Sequence, residues 1–410
     1  MASRYFQHVY PGGLTLLCEA MSGVQSVAMT LLLPAGAAGD PADARGAATV
    51  LSDLVLRGAG RRNSRQLIDH FDSLGLQRGS GVGTYHVHFS CSGLGPKVIA
   101  ALDAYADVVR RPKLPANGFE AARDLALQSL AGVSDEPRQK LIIALREYFF
   151  PAPLGRNPMG VTKDLEKLTL DRCKSEFGRR YCGGDAILAL AGNIDFDQIQ
   201  GEVGRLFGDF NGMAPKTAIQ PPPPVTTHFE LQESEQTHIG IAYRSIPATD
   251  PNYYVLRVAM EVLGGGMSGR LFTELREKRG LVYNVWAGYS GMKDAGAILG
   301  YAGTSNTRAQ ATLDCFTEEL HRLSLGVTAA EVQRARTGLK ANTIMESEST
   351  GSRAGGLAHD FFMLGRVRTL EEIEAAIDQV TVDRVNAFLA AHKAGPFTVV
   401  ILGPKLLTAP

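Results

Sequence analysis

The feature that most limits what this chain can fold into is a short pattern that occurs twice. Thr169-Leu-Asp-Arg172 reappears as Thr381-Val-Asp-Arg384, 212 residues later (381 − 169). In both places the threonine is suited to cap the start of a helix, and an apolar, strand-like run that ends on glycine follows, Ala186–Gly192 in one copy and Phe397–Gly403 in the other. An upstream match at an offset of 211 residues (331 − 120) pairs Glu120 and Arg123 with Glu331 and Arg334. Such steady offsets indicate a duplicated domain.

A proline-rich break lies between the two copies. Gln220 is followed by four consecutive prolines, which have no backbone donor and favour an extended linker. We therefore predict a first domain over residues 1–212, a linker over 213–226 and a second domain over 227–410. A chain of 410 residues is long enough to build two cores.

A looser correspondence suggests the class of each domain. Ser64 and Ser268 are each predicted to begin an amphipathic helix, because leucines and aromatic residues follow at helical spacing. Each helix is followed by a run predicted as a strand, Tyr85–Phe89 in the first half and Val282–Trp286 in the second. The pattern predicts an α+β class, with helices grouped on one face of an antiparallel-looking sheet. A single long α/β enzyme is the alternative, and it accounts less well for the repeated strings.

Composition narrows the range of partners. The chain has 42 Lys plus Arg and 42 Asp plus Glu, so no net field favours nucleic acid or an anionic membrane. No apolar run approaches the ~18 residues of a membrane span, and the first residues do not resemble a signal peptide. The five cysteines include no C-x-x-C pair. We therefore expect a reduced, cytoplasmic chain that binds neither nucleic acid nor membrane.

Two stretches of the second half carry a family resemblance. Leu263-Gly-Gly-Gly-Met-Ser-Gly-Arg-Leu271 and Glu274-Leu-Arg-Glu-Lys-Arg-Gly-Leu-Val-Tyr283 closely resemble the second-half signature of the pitrilysin and mitochondrial processing peptidase family, inverted-motif zinc metallopeptidases. The resemblance extends over nearly the whole chain. It implies two duplicated α+β domains, each an antiparallel-rich mixed sheet with helices on one face, that form half of a clam-like chamber.

The resemblance also implies where a zinc site would be. Catalytic members carry H-x-x-E-H on a first-half helix, and the matching stretch here is Gly46–Gly58, where Thr49, Ser52 and Asp53 replace the His, Glu and His. The third family ligand, a glutamate, should fall near Leu127–Ala131, and no glutamate is present there. Since hydroxyls bind zinc poorly at neutral pH, we predict no metal, no cofactor and no catalytic residue in this chain alone.

Other catalytic arrangements receive little support from the sequence. His86 and His88 alternate along a predicted strand and would share one face, but two polar residues on a half-solvated strand are the more common explanation. There is no G-x-S-x-G elbow. The triple glycine at 264–266 is not followed by the Gly-Lys-Ser/Thr of a phosphate loop.

The resemblance assigns substrate contacts to the second half. In the family, an arginine and a tyrosine at the spacing of Arg276 and Tyr283 donate hydrogen bonds to a backbone carbonyl of the bound peptide, and a glycine-rich element matching Gly264, Gly265 and Gly266 contacts substrate. The alternative is structural: Arg276 complements a helix dipole together with Lys278 and Arg279, Tyr283 is an ordinary strand aromatic, and the glycines form a tight turn.

These observations predict a non-catalytic subunit. The chain would pair with a homologous zinc-bearing subunit, bind an extended peptide and supply Arg276 and Tyr283 to the partner's zinc site, so that zinc is expected in the partner. Three alternatives remain open: a purely structural subunit like the core proteins of respiratory complexes, a free-standing peptide-binding homodimer, and an autonomous peptidase with a new metal site.

Overall fold

The structure is a computed structural model that describes residues 4–408. The chain forms two compact units. Unit 1 contains the chain up to Gly132 together with Ala152–Gln220 and Glu346–Phe362. Unit 2 contains Val133–Pro151, Pro221–Met345 and the chain from Met363 onward. Each unit therefore includes one segment that comes from the other half of the sequence.

Unit 1 is built on a six-stranded sheet in the order β1-β2-β8-β3-β7-β6, with a separate two-stranded sheet of β4 and β5. In this sheet β2 and β8 are parallel and the other neighbours are antiparallel. The strands are β1 (Arg4–Val9), β2 (Thr15–Ala20), β3 (Ser26–Leu33), β4 (Gly58–Ala59), β5 (Arg62–Asn63), β6 (Gln77–Val82), β7 (Val87–Leu94) and β8 (Ile187–Gly192).

Unit 2 is built on a five-stranded sheet in the order β11-β12-β10-β13-β9. Its one parallel pair is β9 and β13. The strands are β9 (Thr227–Leu231), β10 (Gln236–Ser245), β11 (Val282–Met292), β12 (Ala295–Ser305) and β13 (Thr398–Gly403). Listed from the other edge, β9-β13-β10-β12-β11 repeats the chain order of β2-β8-β3-β7-β6, with the parallel pair in the same place. The duplication is thus visible in the topology of the two sheets.

Fourteen α-helices complete the part of the chain that the structure describes. They are α1 (Ala47–Leu54), α2 (Ser64–Ser73), α3 (Gly95–Arg110), α4 (Ala116–Gly132), α5 (Pro137–Phe149), α6 (Thr162–Lys167), α7 (Leu170–Arg180), α8 (Phe196–Phe207), α9 (Tyr253–Gly264), α10 (Ala309–Leu323), α11 (Ala329–Ser347), α12 (Thr350–Leu364), α13 (Leu370–Asp378) and α14 (Val382–Ala391). Each unit has its own hydrophobic core. The α+β class with two duplicated sheets, predicted from the sequence, is confirmed.

The repeated Thr-x-Asp-Arg pattern has the predicted structural role. The Thr169 hydroxyl accepts a hydrogen bond from the Arg172 amide at the start of α7, and Thr381 does the same for Arg384 at the start of α14. Each cap satisfies an amide that would otherwise lack a partner. The strand that follows each helix, β8 or β13, is buried along its whole length.

The segments that join the opposite unit are mainly helical, and each contacts the sheet of the unit that it joins. In β10, Ile239 and Ile241 face the core of unit 2, so Gly240 faces the other way. A Cβ at Gly240 would lie 2.6 Å from a methyl carbon of Leu141 in α5, which shows that α5 packs closely on that face. In unit 1, Glu19 of β2 accepts a hydrogen bond of 2.7 Å from Arg353 of α12.

Two local predictions were wrong. The strand that corresponds to β11 is β6, whereas the predicted strand Tyr85–Phe89 lies mostly in β7. The sequence of β6 is polar and contains glycine, so it does not show the residue pattern of a strand. Pairing with the neighbouring strand, and not its own side chains, holds β6 in the sheet. Ser268 does not begin an α-helix: a short 3-10 helix spans Gly266–Ser268, and a π-helix spans Phe272–Lys278.

Candidate functional site

The positions predicted to replace the zinc motif lie in α1, and the first turn of this helix is fixed by Asp40. The Asp40 carboxylate accepts hydrogen bonds from the amides of Gly46 (2.8 Å) and Ala48 (3.1 Å). It also pairs with Arg180 at 2.8 Å, and both side chains are only 2% exposed. A carboxylate at a helix N-terminus satisfies free amides and complements the dipole. The position of α1 therefore depends on a buried ion pair.

The three side chains at the motif positions make contacts inside the fold. The Thr49 hydroxyl donates to the carbonyl of Pro158 (2.6 Å), and the Ser52 hydroxyl donates to the carbonyl of Thr49 (2.8 Å). The Asp53 carboxylate pairs with Arg57 one turn later at 2.5 Å. Each of the three polar groups thus has a protein partner.

The stretch expected to supply a third zinc ligand lies in α4, which packs against α1. Within it, Leu127 and Leu130 pack against the hydrophobic core of unit 1. No carboxylate occurs in this stretch, so it offers no metal ligand, and its leucines contribute apolar contacts to the core.

These residues do not match the donors that a catalytic zinc requires. Such an ion needs about three nitrogen, sulfur or carboxylate donors and an open position for water. Here two of the three motif positions carry hydroxyls that act as hydrogen-bond donors, and the carboxylate of Asp53 is held by Arg57. Among residues 4–408, no group of three or more His, Cys, Asp or Glu side chains is arranged to hold a metal ion.

The two histidines considered as a second metal site are in unit 1. The His86 ring packs edge-on against Phe362, with 4.3 Å between centroids. His88 lies in β7 opposite Gly81 of β6, and burial lowers its pKa. Packing of these rings against the sheet and a neighbouring aromatic favours the structural explanation for both residues.

The triple glycine forms the turn that ends α9, and each glycine has a structural reason. A Cβ at Gly264 would lie 2.7 Å from the carbonyl oxygen of Ala287 in β11, and one at Gly265 would lie 2.3 Å from the carbonyl oxygen of Glu261. Gly266 has φ of +67°, in the left-handed region that favours glycine. The turn thus lets α9 approach β11 closely.

Arg276 lies in the π-helix, and its surroundings differ from those of the basic residues beside it. Lys278 pairs with Glu274 at 2.8 Å and Arg279 pairs with Glu318 at 3.4 Å. Arg276 is exposed and has no carboxylate partner in the described part of the chain, and its guanidinium lies 5.0 Å from the centre of the Phe272 ring. Its donors are therefore available for a ligand.

Tyr283 is placed at an irregularity in the edge strand of the second sheet. In the pairing of β11 with β12, Val282 faces Thr304 and Asn284 faces Gly303, so Tyr283 is an extra residue. A β-bulge of this kind redirects a side chain. Tyr283 is 66% exposed, and its hydroxyl has no hydrogen-bond partner in the region described. The structure places the glycine turn and the π-helix against β11, whereas Thr49, Ser52 and Asp53 belong to the other unit.

Two residues near the glycine turn were not predicted as candidates. Glu261 is half-buried in α9 and has no ion-pair partner within residues 4–408; burial raises its pKa. Met267 is 76% exposed immediately after the triple glycine. Glu261 lies within the helical pattern of α9, so its sequence position resembles that of any helix glutamate. For Met267, the one sequence feature that could have indicated exposure is its place between a glycine and a serine.

Comparisons with known proteins agree with the fold and with the family resemblance. Residues 16–160 match the family model for insulinase (peptidase family M16), and residues 167–339 match the model for the peptidase M16 inactive domain. A Mycobacterium bovis protein named as an uncharacterized zinc protease is 28% identical over 404 residues, covering 96% of this chain and 92% of that protein. None of the described helices is both long and apolar enough to cross a membrane.

Solved structures resemble this chain along nearly its full length. The peptidase M16 inactive domain from Pseudomonas fluorescens superposes with a TM-score of 0.86 at 22% identity and covers 99% of both chains. A protease from Helicobacter pylori superposes with a TM-score of 0.91 at 17% identity, covering 98% of this chain and 100% of that one. The two family models together span both halves of the sequence, and the resemblance inferred from the glycine turn and the Arg276–Tyr283 stretch is thereby confirmed. This chain belongs to peptidase family M16.

Proposed function

We propose that this protein is a non-catalytic subunit of a two-subunit zinc peptidase, in which it binds extended peptide and supplies Arg276 and Tyr283 to the zinc site of a homologous partner. The observation that carries the proposal is a contrast between two sets of side chains. Thr49, Ser52 and Asp53 are used within the fold, while Arg276 and Tyr283 are exposed and unpaired among the described residues.

The first half of the proposal concerns zinc. The M. bovis relative carries the name zinc protease, and the P. fluorescens structure carries the name inactive domain. The donor set of α1 supports the second description for this chain, because a hydroxyl, a hydroxyl and a paired carboxylate do not bind zinc and leave no general base for water. Zinc and the base would then belong to the partner.

The second half of the proposal concerns the peptide. A guanidinium and a phenol are both donors, and the carbonyl of a scissile peptide bond gains negative charge when water adds to it. Arg276 has no competing carboxylate, and the bulge in β11 turns Tyr283 outward. The outer edge of β11 has no neighbour among the described strands, so its backbone groups are free to pair with an extended peptide.

The test compares Arg276→Ala with Arg279→Ala in the reconstituted pair. Both residues are exposed and basic, and they are three positions apart, but Arg279 already pairs with Glu318. We expect Arg276→Ala to lower kcat/KM of the pair by roughly 10²–10³-fold, as when one transition-state donor is removed, and Arg279→Ala to change it by less than about twofold. Zinc content of the partner, measured by elemental analysis, should be the same in all samples.

Other results would favour other functions. Unchanged turnover with both variants would contradict the Arg276 assignment and favour a purely structural subunit. A stable homodimer that binds peptide without any partner, detected by light scattering and a peptide titration, would favour a free-standing binding protein. One zinc ion per isolated chain, together with chelator-sensitive proteolysis, would show an autonomous peptidase.

A further inference from the structure

The outer edge of β9 is open, although the matching edge of the other sheet is covered. In unit 1, β1 pairs antiparallel with β2 and is the outermost strand. In unit 2, β9 takes the place of β2 beside its parallel partner, and it is the last strand of its sheet. The residues ahead of β9 include the prolines at 221–224, which have no backbone donor and do not suit a pairing strand. Within residues 4–408, the second sheet therefore lacks a counterpart of β1.

The side chains at these two edges differ in exposure. Every residue of β2 except the last is buried. In β9, by contrast, Phe229 is 38% exposed and Leu231 is 66% exposed. Phe229 is paired with Ile401 of β13, and Ile401 belongs to the hydrophobic core of unit 2. Because paired residues of neighbouring strands point to the same face, Phe229 and Leu231 extend the apolar face of the sheet to its open edge.

The backbone groups at this edge have a regular direction. The carbonyl of Thr226 accepts a hydrogen bond of 3.2 Å from the amide of Val399 in β13. Since successive residues of a strand direct their backbone groups to opposite sides, those of Thr227, Phe229 and Leu231 point away from β13. No residue in the range 4–408 makes a backbone hydrogen bond to these three. Their amides and carbonyls are therefore available to another strand.

The polar face of β9 is held by α5. The His228 ring stacks on the Tyr148 ring with 3.6 Å between their centroids, and Glu230 pairs with Lys140. Both partners lie in α5, which packs on this face of the sheet. The strand is thus ordered before anything pairs with it, and pairing costs less conformational entropy than it would for a loose segment.

We propose that two copies of this chain join through β9, with the strands antiparallel and Phe229 of one copy opposite Phe229 of the second copy. Two equivalent strands related by a twofold axis run antiparallel, as β1 does against β2. In this register Thr227 faces Leu231 of the second copy, and each outward amide meets an outward carbonyl. His228 faces Glu230 of the second copy, so no like charges stand opposite one another.

The sequence of β9 favours a second copy over an unrelated peptide. The same five residues supply apolar side chains on one face and complementary polar side chains on the other, so the strand matches itself. Because β9 and β11 lie at opposite edges of the sheet, the contact leaves β11 free and does not depend on the proposed function. Such a short strand pair gives an interface at the low end of stable sizes, and we expect a Kd on the order of 10 μM.

Cysteine cross-linking of the full chain tests the register. Directly opposed residues that share hydrogen bonds in an antiparallel pair have Cα atoms about 5.5 Å apart, within the range of a disulfide. Phe229→Cys alone should therefore form a covalent dimer on mild oxidation. Thr227→Cys and Leu231→Cys should cross-link only when the two variants are mixed.

The controls for cross-linking come from the same chain. The five native cysteines are buried, so the parent should give little covalent dimer. Leu325→Cys places a thiol at an 88% exposed position between α10 and α11 and should not cross-link. Covalent dimer from Leu325→Cys in the same yield as from Phe229→Cys, or from Leu231→Cys alone, would contradict the register.

Sedimentation equilibrium of the isolated chain measures the association itself. The parent should pass from monomer to dimer between about 1 and 100 μM. Leu231→Lys should raise Kd roughly tenfold, because a lysine at a sheet edge opposes pairing, whereas Leu325→Lys should leave Kd unchanged. Circular dichroism should show both variants folded. A parent that stays monomeric at 100 μM, or equal Kd values for the two variants, would overturn the proposal. Neither experiment uses zinc or a partner subunit, so each can fail independently of the proposed function.

Discussion

The helix α1 and the segment from the π-helix into β11 differ in what their polar side chains contact. In α1, Thr49, Ser52 and Asp53 each bond to another group of the protein. In the second segment Arg276 and Tyr283 are exposed and have no polar partner in the described chain. One set of residues therefore contributes to the fold, and the other contributes almost nothing to it.

Because of this difference, mutations in the two regions should affect different quantities, the free energy of unfolding in one case and the activity of a complex in the other. A side chain with internal partners should change the free energy of unfolding when it is replaced. An exposed and unpaired one should not, so that any change in the activity of a complex would report on binding or chemistry. The expected loss of stability is therefore largest for the residue that holds α1 and smallest for the residues that face solvent.

The largest loss of stability is expected for Asp40→Ala. The change leaves Arg180 without its 2.8 Å partner in a buried site and removes the two acceptors that cap α1, with Glu176 as the remaining neighbour of the guanidinium. Breaking one side of a buried ion pair costs about 3–5 kcal/mol. Urea unfolding should show this decrease in the free energy of unfolding. Asp43→Ala is the control, since Asp43 is 80% exposed where it pairs with Arg172, and an equal loss in both variants would contradict the role given to Asp40.

A loss that depends on pH is expected around Glu331. Arg270, in the turn before the π-helix, donates to Glu331 at 2.7 and 3.0 Å, and this hydrogen bonding lowers the pKa of Glu331 to about 2. Since the folded pKa lies below the ordinary value of 4.5, the unfolded chain binds the proton more tightly. The contribution, about 2 kcal/mol after allowance for solvent screening of a partly exposed pair, is present above pH 4.5 and is lost as the pH falls towards 2.

Unfolding at several pH values measures this contribution. Glu331→Gln should be less stable than the parent at pH 7 and should approach it at pH 2 to 3. Glu235→Gln, which changes an exposed glutamate without a partner in the described residues, should show no such pattern. A constant difference between Glu331→Gln and the parent from pH 7 to pH 2 would contradict the assigned ion pair.

A smaller loss is expected for Thr49→Val. The variant has nearly the same shape but cannot donate to the carbonyl of Pro158, so the free energy of unfolding should fall by about 1 kcal/mol. Thr337→Val provides the control, because Thr337 bonds only to the carbonyl of Gln333 in its own exposed helix turn. If Thr49→Val is as stable as the parent, the hydrogen bond from Thr49 to Pro158 does not stabilise the fold.

The smallest effect on stability is expected for Tyr283→Phe and Arg276→Ala. Both should unfold within about 0.5 kcal/mol of the parent in thermal or urea experiments. Tyr301→Phe is the matched tyrosine control, because the Tyr301 hydroxyl lies 2.8 Å from His238 Nδ1 in a buried site, and it should cost about 1 kcal/mol. A clear loss with Tyr283→Phe would remove the contrast between the two regions.

Local residue patterns were enough to predict much of the fold and to propose much of the site. The caps at Thr169 and Thr381 depend on groups within three residues, so a sequence pattern is enough to predict them. The replacement of zinc ligands in α1 is a prediction that the sequence alone allows, because a motif is a matter of residue type and spacing. By contrast, β6 was missed, because its strand conformation depends on pairing with β7 and not on its own polar residues.

The sequence by itself determined the duplication and the family, and it predicted the replacement of the zinc ligands, because each rests on residue identity at fixed spacing. Only the tertiary structure decided that α5 and most of α12 join the opposite units, that Tyr283 occupies a bulge, and that Arg276 lacks the carboxylate partners of Lys278 and Arg279. These features depend on contacts between residues far apart in the chain. Strand pairing, burial and ion-pair choice follow from where such residues meet in space.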